Sequence, residues 1–123
     1  MIKTFAILLS GAAFLLAPAS FASAEMRCGW LENPTPSNWW LIDKEDTWTL
    51  IAQDGYEAKG TDLIGDISTG DYVKETGDYG YACACMDVTL DRDSNRIAEI
   101  RSFKQLRMSK CRNDKALPPP PGE

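Results

Sequence analysis

The longest regular pattern in the chain is an alternation. From Tyr79 to Leu90 the apolar set Ala82, Ala84, Met86, Val88 and Leu90 alternates with Tyr81, Cys83, Cys85, Asp87 and Thr89. A period of two belongs to a strand, which sends successive side chains to opposite faces. The segment therefore predicts a long β-strand with its apolar set turned to the core. A second alternation surrounds Asp43-Lys44-Glu45-Asp46. A hairpin centred there pairs Ile42 with Thr47, Leu41 with Trp48, Trp40 with Thr49 and Trp39 with Leu50. Trp39, Leu41, Trp48 and Leu50 then share one apolar face, and Trp39 and Trp48 build core. Trp40 falls on the other face with Ile42, Thr47 and Thr49, where it has no obvious core to enter.

Turn signals divide the rest. Asn33-Pro34-Thr35-Pro36-Ser37 reads as an irregular loop, because two prolines exclude helix and cannot donate to a ladder. Gln53-Asp54-Gly55-Tyr56 contains Asp-Gly, the strongest short hairpin signal, and predicts a two-residue turn with positive φ at both central positions. The third strand it starts, Tyr56 to Gly60, would set Glu57 and Lys59 on the apolar face, so it is short or lies at an edge. Thr61 to Gly70 reads as a loop with one helical turn at Asp62 to Gly65. Asp71 to Glu75 reads as a strand, turning through Thr76-Gly77-Asp78 into Tyr79. After a polar loop, Asp91 to Asn95, the return segment Arg96 to Phe103 places Ile97, Ile100, Phe103 and Leu106 every third residue. That spacing suits neither period; a strand with a bulge follows a hairpin more naturally than a helix does. Ser109 is positioned to cap a short helical turn through Asp114, and Leu117 to Glu123 is a mobile proline-rich tail.

The N-terminus changes the inventory. Lys3, the apolar stretch Phe5 to Ala17 and the small residues Ala22-Ser23-Ala24 form a secretory signal peptide with cleavage after Ala24. The apolar run is interrupted by Ser10 and Gly11 and is short for a membrane anchor. A chain of 123 residues less a 24-residue leader leaves 99, Glu25 to Glu123. This is one domain, with residues 25–116 as its body and no membrane insertion after cleavage. Losing Lys3 takes the net charge from −5 to −6, and Phe103 remains as the sole mature phenylalanine. An acidic domain is a poor nucleic-acid binder, since phosphates call for clustered Lys and Arg. A basic protein partner fits its charge better.

Four cysteines in a short exported chain read as two disulfides. Cys83 and Cys85 point to the same side of one strand, with Cα atoms about 6.5 to 7 Å apart, at the limit of disulfide reach. Each is better placed to take a separate partner, and Cys28 and Cys111 are the candidates; which takes which stays open. Two other uses compete. A Cys-x-Cys pair can be a redox dithiol, and Cys83-Ala84-Cys85-Met86 offers soft ligands for Cu(I), although Met86 would point away from both sulfurs.

The chain contains no histidine, which removes Ser-His and Cys-His couples and weakens a zinc site. The acids Asp43, Glu45, Asp46, Asp91 and Asp93 all fall in turns, where they serve solubility and turn geometry. No catalytic residue, metal or cofactor is assigned. Trp40, Tyr56, Tyr79 and Tyr81 are the candidate recognition surface, because Trp and Tyr give large rigid contact areas. The competing account tucks Trp40 into a minor second core or beneath the Pro34-Thr35-Pro36 loop.

The segments Arg27-Cys28-Gly29-Trp30-Leu31-Glu32-Asn33-Pro34-Thr35-Pro36-Ser37-Asn38-Trp39-Trp40-Leu41 and Tyr79-Gly80-Tyr81-Ala82-Cys83-Ala84-Cys85-Met86 carry a resemblance. The chain is similar to a family of short exported bacterial proteins known only as a domain of unknown function, through Ser109-Lys110-Cys111-Arg112. The resemblance implies an exported bacterial domain and supplies no activity. The sequence thus points to a mostly β fold, a small antiparallel meander curling into a barrel or sandwich, stapled by two disulfides, with a short C-terminal helical turn. The function it favours is non-catalytic binding in the periplasm or outside the cell, in its specific form inhibition of a basic enzyme such as a lysozyme. The alternatives are a cell-wall glycan-binding module and a thiol redox or copper-binding protein. Thiol titration of the unfolded mature protein should find no free sulfhydryl; two or more would remove the structural reading of the cysteines.

Overall fold

The computed structural model describes residues 10–11 and 24–123, so the leader expected over residues 1–24 falls almost wholly outside the described residues. The chain forms β1 (Glu25–Thr35), β2 (Asn38–Ile42), β3 (Thr47–Ile51), two 3-10 turns (Thr61–Leu63 and Ile67–Thr69), β4 (Tyr72–Thr76), β5 (Tyr79–Asp91), β6 (Arg96–Leu106) and a short helix α1 (Met108–Arg112). The mostly β architecture and the C-terminal helical turn are as the sequence predicts. No described helix is long and apolar enough to cross a membrane.

Strand β5 pairs along both edges. On one edge it meets β1, from Glu25 opposite Val88 to Asn33 opposite Gly80. On the other it meets β4 over Tyr79 to Ala82 and β6 over Cys83 to Asp91. Strands β2 and β3 continue from β1, and β3 reaches β6, so β1-β2-β3-β6-β5 closes on itself as a five-stranded barrel with β4 as a flap. Every ladder is antiparallel except the β3–β6 seam. There the chain departs from a plain meander: one parallel register pair, Thr49 with Arg96, joins the strands. The Thr49 N–H donates to the Asn95 carbonyl at 2.9 Å and a Lys59–Glu99 bridge supports the same seam. A five-stranded Greek-key barrel with a thin seam is the architecture of OB-type barrels.

The barrel interior is filled as the alternation requires. Leu31, Leu41, Leu50, Ala82, Ala84, Met86, Val88 and Ile97 are fully enclosed, with Trp48 and Ile100 beside them. The outer face of β5 is buried too. Tyr81 and Cys83 join Trp30, Met108 and Cys111 in a second cluster beneath α1, flanked by Ile42, Val73, Leu106 and Leu117. Trp30 stands edge-on to Tyr81 at 5.6 Å between ring centres. Its Nε1–H donates to the Pro118 carbonyl at 3.0 Å. The chain is thus anchored two residues into the segment expected to be a mobile tail.

The spacing of three along β6 has a direct cause. Leu90, Val88 and Met86 oppose Ile97, Ile100 and Phe103, so two-residue steps on β5 match three-residue steps on β6. Register shifts fall between Asp87 and Val88 and between Thr89 and Leu90. Each shift adds one residue to β6, and the expected bulged strand is present as two single-residue bulges.

Other details differ from the sequence reading. The β2–β3 register holds at Ile42–Thr47, Leu41–Trp48 and Trp40–Thr49, but a bulge sets Trp39 opposite Ile51 instead of Leu50. Trp39 is consequently only half-buried against the core. At Asp54-Gly55 the sole positive φ is at Gly55, +99°. The Gly55 N–H bonds the Ala52 carbonyl and the Ala52 N–H bonds the Tyr56 carbonyl. That is a three-residue loop with a glycine bulge, not the two-residue turn expected. The expected third strand reduces to isolated bridges at Glu57 and Lys59. The Asn33–Ser37 loop shrinks because β1 runs through Thr35, with Pro34 lodged at a register shift, where a strand tolerates proline. The helix cap comes from afar: Asp71 Oδ2 accepts from the Met108 N–H at 2.7 Å, and Ser109 offers no cap.

Gly80 sits where β1, β4 and β5 converge. A Cβ there would stand 1.8 Å from the Val73 carbonyl oxygen, a backbone atom that cannot rotate away. Gly80→Ala is expected to cost about 2 kcal/mol or more of stability, read as a lowered urea midpoint. An unchanged midpoint would show that β4 can lift off freely.

Candidate functional site

Trp40 lies on the outer face of β2, opposite Glu32 of β1 and Thr49 of β3. It is half-buried and packs into neither hydrophobic cluster. Its Nε1–H donates to Glu32 Oε1 at 2.7 Å, which fixes the indole and leaves the ring as the apolar part of the surface. The Glu75 carboxyl of β4 neighbours Glu32. Burial and the adjacent Glu32 carboxylate push it up to about 7. Two carboxylates at one spot cannot both ionise without cost, so Glu75 is the one that keeps its proton toward the neutral range. Glu75 keeps solvent exposure, which tempers the effect. Among the described residues neither Glu32 nor Glu75 has a Lys or Arg partner within ion-pair distance.

The other aromatic candidates divide. Tyr79 stays half-buried on the outer face at the start of β5. Tyr81, opposite Glu32 in the ladder, is 2% exposed and serves the second core instead of an open surface. Tyr56 lies past the far side of the row, which runs Glu32, Trp40, Thr49, Arg96 from strand to strand. There the Arg96 guanidinium covers its ring at 4.2 Å and its hydroxyl donates to the Ile97 carbonyl at 2.6 Å. The four residues do not form one patch; Trp40 stands apart, bonded to the acid Glu32 and opposite Thr49.

A second charged cluster occupies the barrel end near the β2–β3 turn. Arg27, 7% exposed, donates through Nε to Asp43 Oδ2 at 2.7 Å and through Nη1 to Glu45 at 3.0 Å and Glu25 at 3.3 Å. Asp43, 4% exposed, also accepts from the Trp48 indole at 2.8 Å and, through Oδ1, from the Glu45 and Asp46 amides. Burial alone would raise the Asp43 carboxyl, but the Arg27 guanidinium and those two amides outweigh it and hold it below its ordinary value of 3.8. Arg92 closes the cluster from outside onto Glu25 at 2.8 Å. Asp43 is saturated and Arg27 is enclosed, so this cluster locks the turn to β1.

The sulfur atoms are all engaged. Cys28 bonds Cys85 and Cys83 bonds Cys111, with no free thiol. The separate partners predicted for Cys83 and Cys85 are present. Met86 points into the barrel, 0% exposed, so a soft-metal site at Cys83-Ala84-Cys85-Met86 would need both disulfides opened and the strand turned over.

A family model described as "Protein of unknown function (DUF4087)" matches residues 22–118. The chain belongs to the DUF4087 family. No curated protein and no solved structure matches it. The match spans the barrel, α1 and the tail as far as Pro118, so every residue of the Trp40 site lies inside the DUF4087 domain. Glu32 and Glu75 escaped notice in the sequence because β1 was not legible as a strand. Once Glu25 to Thr35 is extended, Glu32 falls on the same face as Cys28 and Trp30.

Asp43→Asn would leave the buried Arg27 without its main counter-charge, at an expected cost of about 3 to 5 kcal/mol. In the parent protein the Asp43 contribution is complete above its unfolded value near 3.8 and fades as the pH falls through the lower folded value. Urea midpoints should therefore drop below about pH 4 in the parent and stay flatter in Asp43→Asn. Parallel pH profiles for the two would overturn this.

Proposed function

We propose that this DUF4087 protein is an exported, non-catalytic binding module whose outer face around Trp40 docks a cationic protein surface. One observation carries the reading: Glu32 and Glu75 neighbour each other with no Lys or Arg partner among the described residues, and Glu32 holds the indole of a tryptophan that serves neither core. A Lys or Arg from a partner would relieve the repulsion between the two acids. It would also gain charge-assisted hydrogen bonds and lie against the indole face. The net charge of −5 draws basic partners toward that face over long range. Inhibition of a basic enzyme such as a lysozyme is the specific form of this function. Two disulfides suit an oxidising compartment, the periplasm or the cell exterior.

A cell-wall glycan is the second reading, favoured by the topology. Barrels of this kind bind oligosaccharides across strands 2 and 3, and Trp40 stands on β2 opposite Thr49 of β3. Fold-level analogy is the weaker warrant. Calorimetric titration of the mature protein with lysozyme and with soluble peptidoglycan fragments separates the two. Docking of a cationic surface predicts lysozyme binding that weakens with salt. It also predicts about a tenfold loss, near 1.4 kcal/mol, in both Trp40→Ala and Glu32→Gln/Glu75→Gln. Glycan binding sensitive to Trp40→Ala but not to salt would replace this reading. Lysozyme affinity untouched by both variants would remove the Trp40 face.

A further inference from the structure

Trp39, the neighbour of Trp40, serves a different surface. A register shift sets it opposite Ile51 instead of Leu50, and it is partly buried against the main core. It walls a cavity of about 250 Å³ together with Ile51 and Ile64. Glu57, Thr61 and Asp62 form the polar part of the lining. The walls are held in place. Ile64 is buried in the main core. The loop carrying Glu57 is tied down by the Ala58 N–H on the Leu50 carbonyl at 2.8 Å and the Lys59 N–H on the Ala98 carbonyl at 3.0 Å. Glu57 accepts from the Thr61 hydroxyl at 2.7 Å, its one side-chain hydrogen bond among the described residues. Among the described residues no Lys or Arg pairs with Glu57 or Asp62.

We propose that this cavity seats one arginine or lysine side chain of the protein partner. Its aliphatic stem would lie along Trp39, Ile51 and Ile64, and its charged head would meet Glu57 and Asp62. The match is one of shape and charge together: a greasy wall with an acidic lip suits a side chain that buries its stem and keeps its cation at the rim. An aromatic wall adds attraction for the cation itself. A sugar would find the same tryptophan, but two carboxylates in the lining with no Lys or Arg partner among the described residues favour a positive guest. The proposal rests on the cationic-partner reading, yet it concerns separate residues and is tested without the partner.

The probe is Nα-acetyl-arginine amide, with Nα-acetyl-citrulline amide as a neutral control of the same length. Both are titrated into the isotope-labelled mature protein and followed by amide and indole NMR shifts. Arginine is expected to give saturable shifts at the Trp39 indole and the Thr61 and Ile64 amides, with citrulline at least fivefold weaker. Glu57→Gln/Asp62→Asn, altered at exposed positions, is expected to lose the difference between the probes. Equal response to both probes, no shift at these residues, or a preference for arginine that survives the double variant would overturn the proposal. Glu32→Gln/Glu75→Gln is expected to keep the Trp39 shifts, so failure of the Trp40 face and failure of this cavity read out separately. Loss of the Trp39 shifts in that variant would overturn the assignment of the cation to Glu57 and Asp62.

Discussion

Strand β5 sends Ala82, Ala84, Met86 and Val88 into the barrel while Trp30, Met108 and Cys111 cover Tyr81 and Cys83 from outside. Burying both faces of one strand is the constraint from which the rest of the molecule follows. A five-stranded ring of about a hundred residues encloses too little apolar surface to be comfortable. A second cluster on the outside of the wall adds to it without enlarging the ring. It also explains why the chain continues past β6: α1 and Leu117 are the lid of that outer cluster. The disulfides act at the same strand. With sequence separations of 57 and 28 residues, each contributes on the order of 3 to 4 kcal/mol through the entropy of the unfolded chain.

What could be read from the sequence was what depends on neighbours along the chain. The alternation of Tyr79 to Leu90 shows directly in the buried set, and three of four hairpin pairs around Asp43 to Asp46 are in register. The opposed directions of Cys83 and Met86 followed from the same parity. What escaped depends on partners far away. β1 reads as no strand because Pro34 and Pro36 dominate its end, and its apolar residues acquire a face only once β5 and β2 flank it. The three-residue spacing of Ile97, Ile100 and Phe103 looked anomalous because a bulge becomes visible only against the strand it is measured from. Tyr81 looked like a surface aromatic since nothing local announces that Trp30 and Leu117 will cover it.

The charges are managed in two opposite ways. Near the β2–β3 turn the acids Glu25, Asp43 and Glu45 converge on Arg27 and Arg92, which neutralise them and fasten the turn. Around Trp40, and again around Trp39, acids lie with no Lys or Arg partner among the described residues. The protein brings two arginines to one acidic cluster and, among the described residues, no Lys or Arg to the other two, and both of those adjoin tryptophans. Local inconsistency of this sort concentrates where a sequence serves something besides its own stability. The adjacent tryptophans need not compete for one core, because consecutive residues of β2 face opposite sides of the barrel wall.

The two bridges also determine what becomes of the protein once its backbone is damaged. Cys28–Cys85 and Cys83–Cys111 overlap along the chain by the tripeptide Cys83-Ala84-Cys85. A single nick anywhere between Cys28 and Cys111 leaves both fragments covalently joined. Two nicks that spare the tripeptide, one on either side of it, still yield one molecule hung from that short central piece. Proteolysis can therefore break the continuity of its exposed loops while its parts stay together.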